Sequence, residues 1–264
     1  MTAALPFAGT APYYRFRVPY PPAVFAFLRD EFDLDERARV LDLGCGPGTL
    51  SIPLARVAGE VVALDIDAEM LAEGERQAVA AGRANVRWLR SGAEAVSPPL
   101  GSFRLAVLGQ SFHWMDRDLV LSRLEPLVEA RGGLALVGPG RRRPQESWEE
   151  LAQSVVARYL GPRGRHPGAN PEPHDEPALE RSRDFAIASA REFPSEIERD
   201  VRSIVGWVYS SSISGRHRFG ERAATFERDL AETLLRANPS GTFRERVETE
   251  VVVVRKRVVP SSVP

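Results

Sequence analysis

The sequence predicts an α/β fold built on a doubly wound, mostly parallel β-sheet. Residues 39–65 are predicted to form a strand, a glycine-rich loop, a helix and a second strand. Strand and helix patterns keep alternating as far as residue 137, and a long alternating strand is predicted over residues 248–259. Such alternation indicates parallel strands with helices on both faces. The glycine loop would then lie at the carboxyl edge of the sheet, where ligands bind.

The hydrophobic pattern places the other elements in chain order. Strands are predicted at residues 40–43, 61–65, 85–89, 103–108, 134–137, 184–193 and 248–259. Helices are predicted at residues 24–28, 50–57, 68–81, 117–130, 148–160, 195–210 and 219–237. Asp67 is expected to cap the third helix and Gly82 to end it. Residues 131–133, an Arg-Gly-Gly sequence, are predicted to be the turn into the fifth strand.

The glycine loop is the centre of the predicted binding site. Glycine at Gly44, Gly46 and Gly48 allows positive φ and lets a ligand lie against bare backbone. The helix behind the loop offers free N–H groups to an anionic group. Asp65, at the end of the second strand, can accept hydrogen bonds from both hydroxyls of a ribose. Asp42, two residues before the first glycine, suits a ligand that carries an ammonium group.

The spacing of the loop distinguishes two classes of cofactor. A dinucleotide-binding loop has the pattern G-x-G-x-x-G, whereas this chain has G-x-G-x-G, and Thr49 stands where the dinucleotide pattern has Gly or Ala. The segment VLDLGCGPG, followed by LDIDAEML, resembles the class I S-adenosylmethionine-dependent methyltransferases, in their small-molecule, type 11-like branch. The resemblance implies a seven-stranded Rossmann-like sheet with an antiparallel last strand and a helical insertion. It also implies S-adenosyl-L-methionine as the cofactor, with Ile66 and Met70 beside it.

The N-terminal segment is similar to the Y-x-x-Y-R-P-x-Y-P leader of some members of that branch, which folds over the cofactor. By this match Tyr13 lies near the methionine part of the cofactor and Arg17 reaches its carboxylate. Phe16 and Val18 depart from the usual Tyr and Pro of the leader. The alternative is a docked arm whose aromatic side chains only pack.

Adenine recognition follows the third strand in this family. Relatives often carry G-D-A-E there, but this chain has Gly92 in place of the Asp. The resemblance therefore leaves the Ala93 backbone N–H, with Glu94 or Ser91, to hold the adenine.

The loop after the fourth strand faces the reaction crevice in a doubly wound sheet. Its sequence, GQSFHWMD, resembles the S/A-x-H-W/H motif of the same branch. Gln110 is predicted to contact the methionine moiety. His113 is the histidine placed to act as a general base, because an imidazole titrates near a pKa of about 6.5. The alternative is that His113 only orients the loop.

Three segments are expected in the 264-residue chain. Residues 1–35 form an N-terminal arm and lid helix, and residues 36–140 form the core that binds S-adenosylmethionine. Residues 141–264 supply acceptor-side insertion helices and complete the sheet. The predicted function is methyl transfer to an O, N or C atom of a small-molecule acceptor.

Composition limits the other functions. The chain has 35 basic and 36 acidic residues and a formal net charge of −1, with both signs interspersed, so no partner nucleic acid or membrane is expected. Cys45 is the single cysteine and no Cys/His pair has zinc spacing, which predicts no metal. The absence of a leader or a long apolar run predicts a cytoplasmic protein. An NAD(P)-linked oxidoreductase and a non-catalytic cofactor-binding module remain the alternatives.

Overall fold

The computed structural model describes residues 5–139, 148–162 and 175–257. These residues divide into two compact units, each assembled from three separate stretches of the chain. The sheet unit consists of the described residues within Tyr20–Gly140, Ala169–Phe193 and Thr249–Pro264. The helical unit consists of the described residues within Met1–Pro19, Arg141–Gly168 and Pro194–Glu248.

Seven strands form one mixed sheet. They are β1 (Arg39–Leu43), β2 (Glu60–Asp65), β3 (Val86–Arg90), β4 (Phe103–Gly109), β5 (Val128–Pro139), β6 (Phe185–Asp200) and β7 (Thr242–Lys256). Their order in the sheet is β3-β2-β1-β4-β5-β7-β6. Strands β1 to β5 pair in parallel, and β7 runs antiparallel to β5. The predicted fold class, including the antiparallel last strand, is confirmed; residues 258 and 259 of that predicted strand lie outside the described residues.

Eight α-helices accompany the strands in the described residues. They are α1 (Pro22–Glu31), α2 (Ser51–Leu54), α3 (Ala68–Ala80), α4 (Arg117–Leu124), α5 (Trp148–Leu160), α6 (Glu176–Arg181), α7 (Val201–Tyr209) and α8 (Ala223–Ala237). Asp67 caps α3, as predicted, by accepting a hydrogen bond from the Glu69 N–H.

The sheet unit has a hydrophobic core on each face of its strands. Along β1, Val40 belongs to one core, while Leu41 and Leu43 belong to the other. Such alternation follows from the two-residue period of a strand. Helices α1 and α2 cover the Val40 face, and α4 and α6 cover the Leu41 face. The sheet is therefore doubly wound, and both faces of its central strands are shielded from water.

The helical unit has an aromatic core formed by α5, α7 and α8. Phe219 and Phe226 have ring centroids 4.1 Å apart, and Tyr159 and Tyr209 contact both of them. The Tyr209 hydroxyl donates to Glu227 at 3.0 Å, which satisfies its polar end.

The helix predicted over residues 117–130 is shorter than expected. Helix α4 ends at Leu124, and a 3-10 turn leads into β5 at Val128. Pro126 lies in this turn and has no N–H with which to continue an α-helix.

The predicted turn at residues 131–133 is wrong, because these residues lie within β5. A Cβ on Gly132 would come within 2.6 Å of the Arg104 carbonyl oxygen, and one on Gly133 within 2.3 Å of the Val254 carbonyl oxygen. The two glycines therefore permit close approach of neighbouring strands.

The helix predicted over residues 195–210 also begins later, at Val201. Residues 194–200 extend β6, where Ile197 alternates with charged neighbours in a pattern that fits a strand. The Asp200 carboxylate accepts from the Ser203 N–H at 2.7 Å and so fixes the start of α7.

The last predicted helix, over residues 219–237, is divided. Gly220 has φ +55° and ψ −133°, which interrupts the helical path, and α8 begins only at Ala223. Within the described ranges, no helix has both the length and the apolar character needed to cross a membrane.

Candidate active site

The glycine loop joins β1 to α2 in a strongly bent path. Gly44, Gly46 and Gly48 have φ values of +66°, +54° and +81°, which L side chains rarely adopt. A Cβ on Gly44 would lie 2.7 Å from Ser111 Cβ, and one on Gly48 would lie 2.5 Å from Trp88 Cη2. The loop therefore requires glycine both for its conformation and for its close packing.

Asp65 is the last residue of β2, at the edge where the sequence placed it. Its Oδ2 accepts a hydrogen bond from the Gly46 N–H at 2.8 Å, and its Oδ1 accepts one from the Asp67 N–H at 2.8 Å. Burial raises the pKa of this carboxyl, against the lowering effect of the two backbone bonds. Each carboxylate oxygen can accept a further bond, so Asp65 can hold a ligand hydroxyl while it fixes the loop.

Asp42 lies under the loop, with 1% of its surface exposed. Its Oδ2 accepts from the Ser51 hydroxyl at 2.5 Å. Burial raises the pKa of Asp42 to about 7, and the nearby Asp65 adds to the rise, while the Ser51 bond opposes it. The predicted partner of an ammonium group is thus a buried carboxyl tied to the first turn of α2.

An exposed apolar side chain stands beside the β2 edge. Ile66, which follows Asp65, is 48% exposed. A Cβ on Gly92 would lie 3.8 Å from Ile66 Cγ2 and 3.2 Å from a Glu94 carboxylate oxygen. Because residue 92 is glycine, no side chain fills the space between Ile66 and Glu94.

Ala93 and Met70 are both buried, at 6% and 2% exposure. Ala93 opens the short 3-10 turn after β3, and Met70 lies in the first turn of α3. Glu94 Oε1 accepts from the Asp116 N–H at 3.1 Å. Because Asp116 also caps α4, Glu94 joins the loop after β3 to the loop after β4.

The loop after β4 is held against β1 and β5. The Ser111 hydroxyl donates to the Leu43 carbonyl oxygen at 2.6 Å, and the Gln110 N–H donates to the Val137 carbonyl oxygen at 3.0 Å. The His113 ring lies 5.2 Å from that of Trp114, centroid to centroid.

Two predicted site residues, Tyr13 and Arg17, belong to the helical unit. The centroids of the Tyr13 and Tyr209 rings lie 5.2 Å apart. The Arg17 guanidinium donates to the Ser210 carbonyl oxygen at 2.9 Å. The other predicted residues belong to the sheet unit.

Three residues that contact the site were not identified from the sequence: Tyr20, Ser51 and Trp88. Tyr20 stands within the leader motif, so a closer comparison with that motif could have found it. Ser51 and Trp88 act through packing and hydrogen bonds to Asp42 and Gly48, and neither contact has a sequence signal.

Residues 40–132 match the family described as "Methyltransferase domain". This range contains the glycine loop, Asp65, Glu94 and His113.

Two curated relatives carry methyltransferase names. The uncharacterized methyltransferase C25B8.09 of Schizosaccharomyces pombe is 31% identical over 152 residues, which are 57% of this chain and 58% of that protein. The 23S rRNA (uracil(1939)-C(5))-methyltransferase RlmD of Aeromonas salmonicida is 33% identical over 119 residues, covering 39% of this chain and 27% of that protein. The alignment with the yeast protein thus spans little more than half of its length.

Solved structures share the fold. A putative type II methyltransferase from Anaeromyxobacter dehalogenans superposes with a TM-score of 0.60 at 22% identity, covering 91% of this chain and 97% of that one. A methyltransferase from Thiobacillus denitrificans, crystallised with S-adenosyl-L-homocysteine, superposes with a TM-score of 0.55 at 18% identity, covering 97% and 100%. The domain match over residues 40–132 and the similarity to named methyltransferases support a class I S-adenosylmethionine-dependent methyltransferase.

Proposed function

We propose that this protein transfers the methyl group of S-adenosyl-L-methionine to a small-molecule acceptor. The observation that carries the proposal is the Asp65 carboxylate, which ends β2 and accepts a hydrogen bond from Gly46 at 2.8 Å. One side chain thereby fixes the glycine loop and presents acceptor oxygens at the same edge of the sheet. A nucleoside with a charged tail needs both features: the glycine loop would lie against its tail, and the acceptor oxygens would bind its ribose.

Each part of the cofactor has a corresponding feature. Asp65 would accept from the ribose hydroxyls, and the bare backbone of the glycine loop would contact the methionine part. The adenine would lie against the exposed side chain of Ile66, with the Ala93 N–H and Glu94 at its edge. The gap at Gly92 supports this placement, because a side chain there would approach both Ile66 and Glu94.

The remaining assignments follow the leader motif and the core around the loop. Tyr13 and Arg17 are proposed to cover the methionine part, Gln110 to contact it, and Asp42 to favour its ammonium group. Met70 would support the site from α3. The division into a lid (1–35), a cofactor core (36–140) and an acceptor-side segment (141–264) belongs to the same proposal.

The chemistry needs little from the protein beyond orientation. A sulfonium ion makes the bound methyl group reactive towards a nucleophile placed in line with the carbon–sulfur bond. A phenol or a carbon acid must also lose a proton, and His113 is proposed to take it. A carboxylate acceptor needs no base, so the role of His113 depends on the acceptor.

Turnover tests the proposed reaction. The protein is incubated with S-adenosylmethionine and separate pools of phenols, carboxylic acids, amines and short RNA, and release of S-adenosylhomocysteine is measured. The proposal predicts release with one of the small-molecule pools. Release with RNA alone would contradict the small-molecule acceptor, and an RNA arm is included because one relative is named as an rRNA methyltransferase.

Once an acceptor is found, the His113→Ala variant tests the base. Its affinity for S-adenosylhomocysteine should stay within about twofold of the parent, while turnover of a phenolic acceptor should fall by about 100-fold, since proton transfer typically contributes 10²–10⁴-fold. Raising the pH should recover part of the lost rate, because the phenol then ionises without help. Equal turnover by the variant and the parent at pH 7 would show that His113 is not a base.

A further inference from the structure

The hydroxyl of Tyr20 lies at the carboxyl end of β4. The Gln110 side-chain amide donates to Tyr20 Oη at 3.4 Å. A Cβ on Gly109 would lie 3.2 Å from the same oxygen and 2.7 Å from Leu50 Cδ1. Glycine at position 109 therefore leaves the space in which the Tyr20 hydroxyl meets Gln110.

Gln110 is held in an unusual backbone conformation. Its φ is +55°, and among the described residues Asp33 is the one other non-glycine residue with positive φ. The conformation is fixed by the Gln110 N–H, which donates to the Val137 carbonyl oxygen at 3.0 Å. Such a conformation is strained for a residue with a side chain and persists where surrounding contacts enforce it, commonly at functional sites.

The backbone bond and the side-chain bond together determine what Gln110 can offer a ligand. An amide group has one end that donates and one that accepts, so its orientation decides which charge it favours. With Nε2 directed at Tyr20, the carbonyl Oε1 remains to accept from a cationic donor. A methionine moiety carries such a donor in its ammonium group.

We propose that Tyr20 is a positioning residue, which orients the Gln110 amide so that its Oε1 accepts from the ammonium group of the cofactor. This inference rests on the proposed function, because it concerns the same cofactor. It adds a residue from the segment before α1, and it assigns the role of Tyr20 to ligand orientation through Gln110.

Binding of two ligands, one with the amino acid tail and one without it, distinguishes a role of Tyr20 in orienting Gln110 from a general role in supporting the fold. S-adenosylhomocysteine carries the amino acid tail, whereas 5′-methylthioadenosine has the same adenosine and a thioether but no tail. Binding of both is measured by titration calorimetry for the parent, Tyr20→Phe, Gln110→Asn and the double variant. Asparagine is chosen because it tolerates positive φ and its amide is one methylene too short to reach Tyr20. Tyr159→Phe is the matched control, since it removes a hydroxyl that donates to Asp229 within the helical unit.

We expect Tyr20→Phe to weaken the binding of S-adenosylhomocysteine by about 3- to 10-fold, which is the effect of one lost hydrogen bond. The affinity for 5′-methylthioadenosine should stay within about twofold of the parent. Gln110→Asn should have a similar selective effect, and the double variant should lose little more than either single variant because the two residues act as one unit. Tyr159→Phe should bind both ligands as the parent does.

Two results would overturn the inference: unchanged affinity of Tyr20→Phe for S-adenosylhomocysteine, or an equal loss for both ligands. Failure of the proposed function is distinguishable, because the parent would then bind neither ligand.

Discussion

At the scale of single residues, the buried carboxyl of Asp42 makes the stability of the protein depend on pH. Burying a charged carboxylate away from water costs free energy unless a cation pairs with it. The hydrogen-bond partner of Asp42 is the neutral hydroxyl of Ser51. Burial accordingly raises its pKa from 3.8 to about 7. The folded state therefore holds a proton that the unfolded state has already released between these two pH values.

The raised pKa of Asp42 makes the protein less stable as pH rises. Where the folded state binds more protons than the unfolded state, the free energy of unfolding falls as pH rises. The contribution of Asp42 is fully favourable below pH 3.8 and is lost as pH rises through about 7. At 1.36 kcal/mol per pH unit, the rise of the pKa from 3.8 to about 7 corresponds to a change in the free energy of unfolding of about 4 kcal/mol over that window.

The Asp42→Asn variant tests this dependence. The amide is neutral at every pH and can still accept from Ser51, so its stability relative to the parent should increase by about 2–3 kcal/mol between pH 5 and pH 7.5. Urea unfolding at both pH values measures the difference. Asp30→Asn, which changes an exposed carboxylate, is the control and should show no comparable trend. A constant difference between Asp42→Asn and the parent would mean that Asp42 is already ionised in the folded protein at pH 5.

At the scale of elements, the glycine loop and the Trp88 side chain of β3 are packed together. Cβ atoms at Gly48 and at Gly74 of α3 would both lie 2.5 Å from the Trp88 ring. The indole thus fits against two glycines, one in the loop and one in the helix that follows β2. The conformation of the loop therefore depends on this contact as well as on the positive φ of its glycines.

Gly48→Ala and Gly82→Ala separate the strain of positive φ from the collision with Trp88. Gly82 has φ +64° but no atom within 4 Å of a Cβ, so its replacement should cost only the conformational strain, about 1 kcal/mol. Gly48→Ala adds the collision with Trp88 and should cost about 2–4 kcal/mol in all. Chemical denaturation measures both losses. Equal losses at the two positions would show that the Trp88 contact does not constrain the loop.

Local sequence patterns predict the elements around the loop because their signals are short-range. The strand before Gly44, the cap at Asp67 and the strand that ends at Asp65 each depend on residues close in the chain. The pattern over residues 194–200 fits a helix or a strand equally well. These residues form a strand because β6 pairs with β7, which lies more than 40 residues further along the chain. The role of Gly132 and Gly133 likewise depends on distant strands.

Within the candidate site, too, residues with a local sequence signal could be predicted, and residues defined by distant contacts could not. The loop glycines, Asp42 and Asp65 could be named from the sequence because their spacing is a local property. Tyr20 is 90 positions from its partner Gln110, so no spacing rule joins them. Contacts of this kind become visible only when the sheet has brought its strands together.

At the scale of the whole molecule, one buried cation, Arg199, contacts stretches of the helical unit that are distant from one another in the chain. The Arg199 side chain is 5% exposed and pairs with Glu245 at 2.9 Å. It also donates to the Phe16 carbonyl oxygen at 2.9 Å and lies 5.0 Å from the centre of the Trp148 ring. Arg199 thereby joins the N-terminal arm, α5 and β7 within this unit.

Replacing Arg199 by Met should therefore destabilise the protein strongly. The change leaves Glu245, 15% exposed, without its partner, and breaking a buried pair in this way costs about 3–5 kcal/mol. Arg244→Met is the matched control, because Arg244 is 87% exposed and its contact with Glu198 is 3.6 Å long. The control should change stability by no more than about 0.5 kcal/mol. Similar small losses for both variants in thermal unfolding would contradict the role given to Arg199.

Calorimetric titration measures whether Asp65 and the glycine loop hold S-adenosylmethionine. The parent, Asp65→Ala and the control Asp30→Ala are each titrated with S-adenosylhomocysteine and with NADH. We expect the parent and Asp30→Ala to bind S-adenosylhomocysteine and not NADH. Asp65→Ala should bind at least about 10-fold more weakly, because a hydrogen bond to a charged group contributes about 1.5–3 kcal/mol. Binding of NADH alone, or undiminished affinity of Asp65→Ala for S-adenosylhomocysteine, would show that Asp65 and the glycine loop do not hold S-adenosylmethionine.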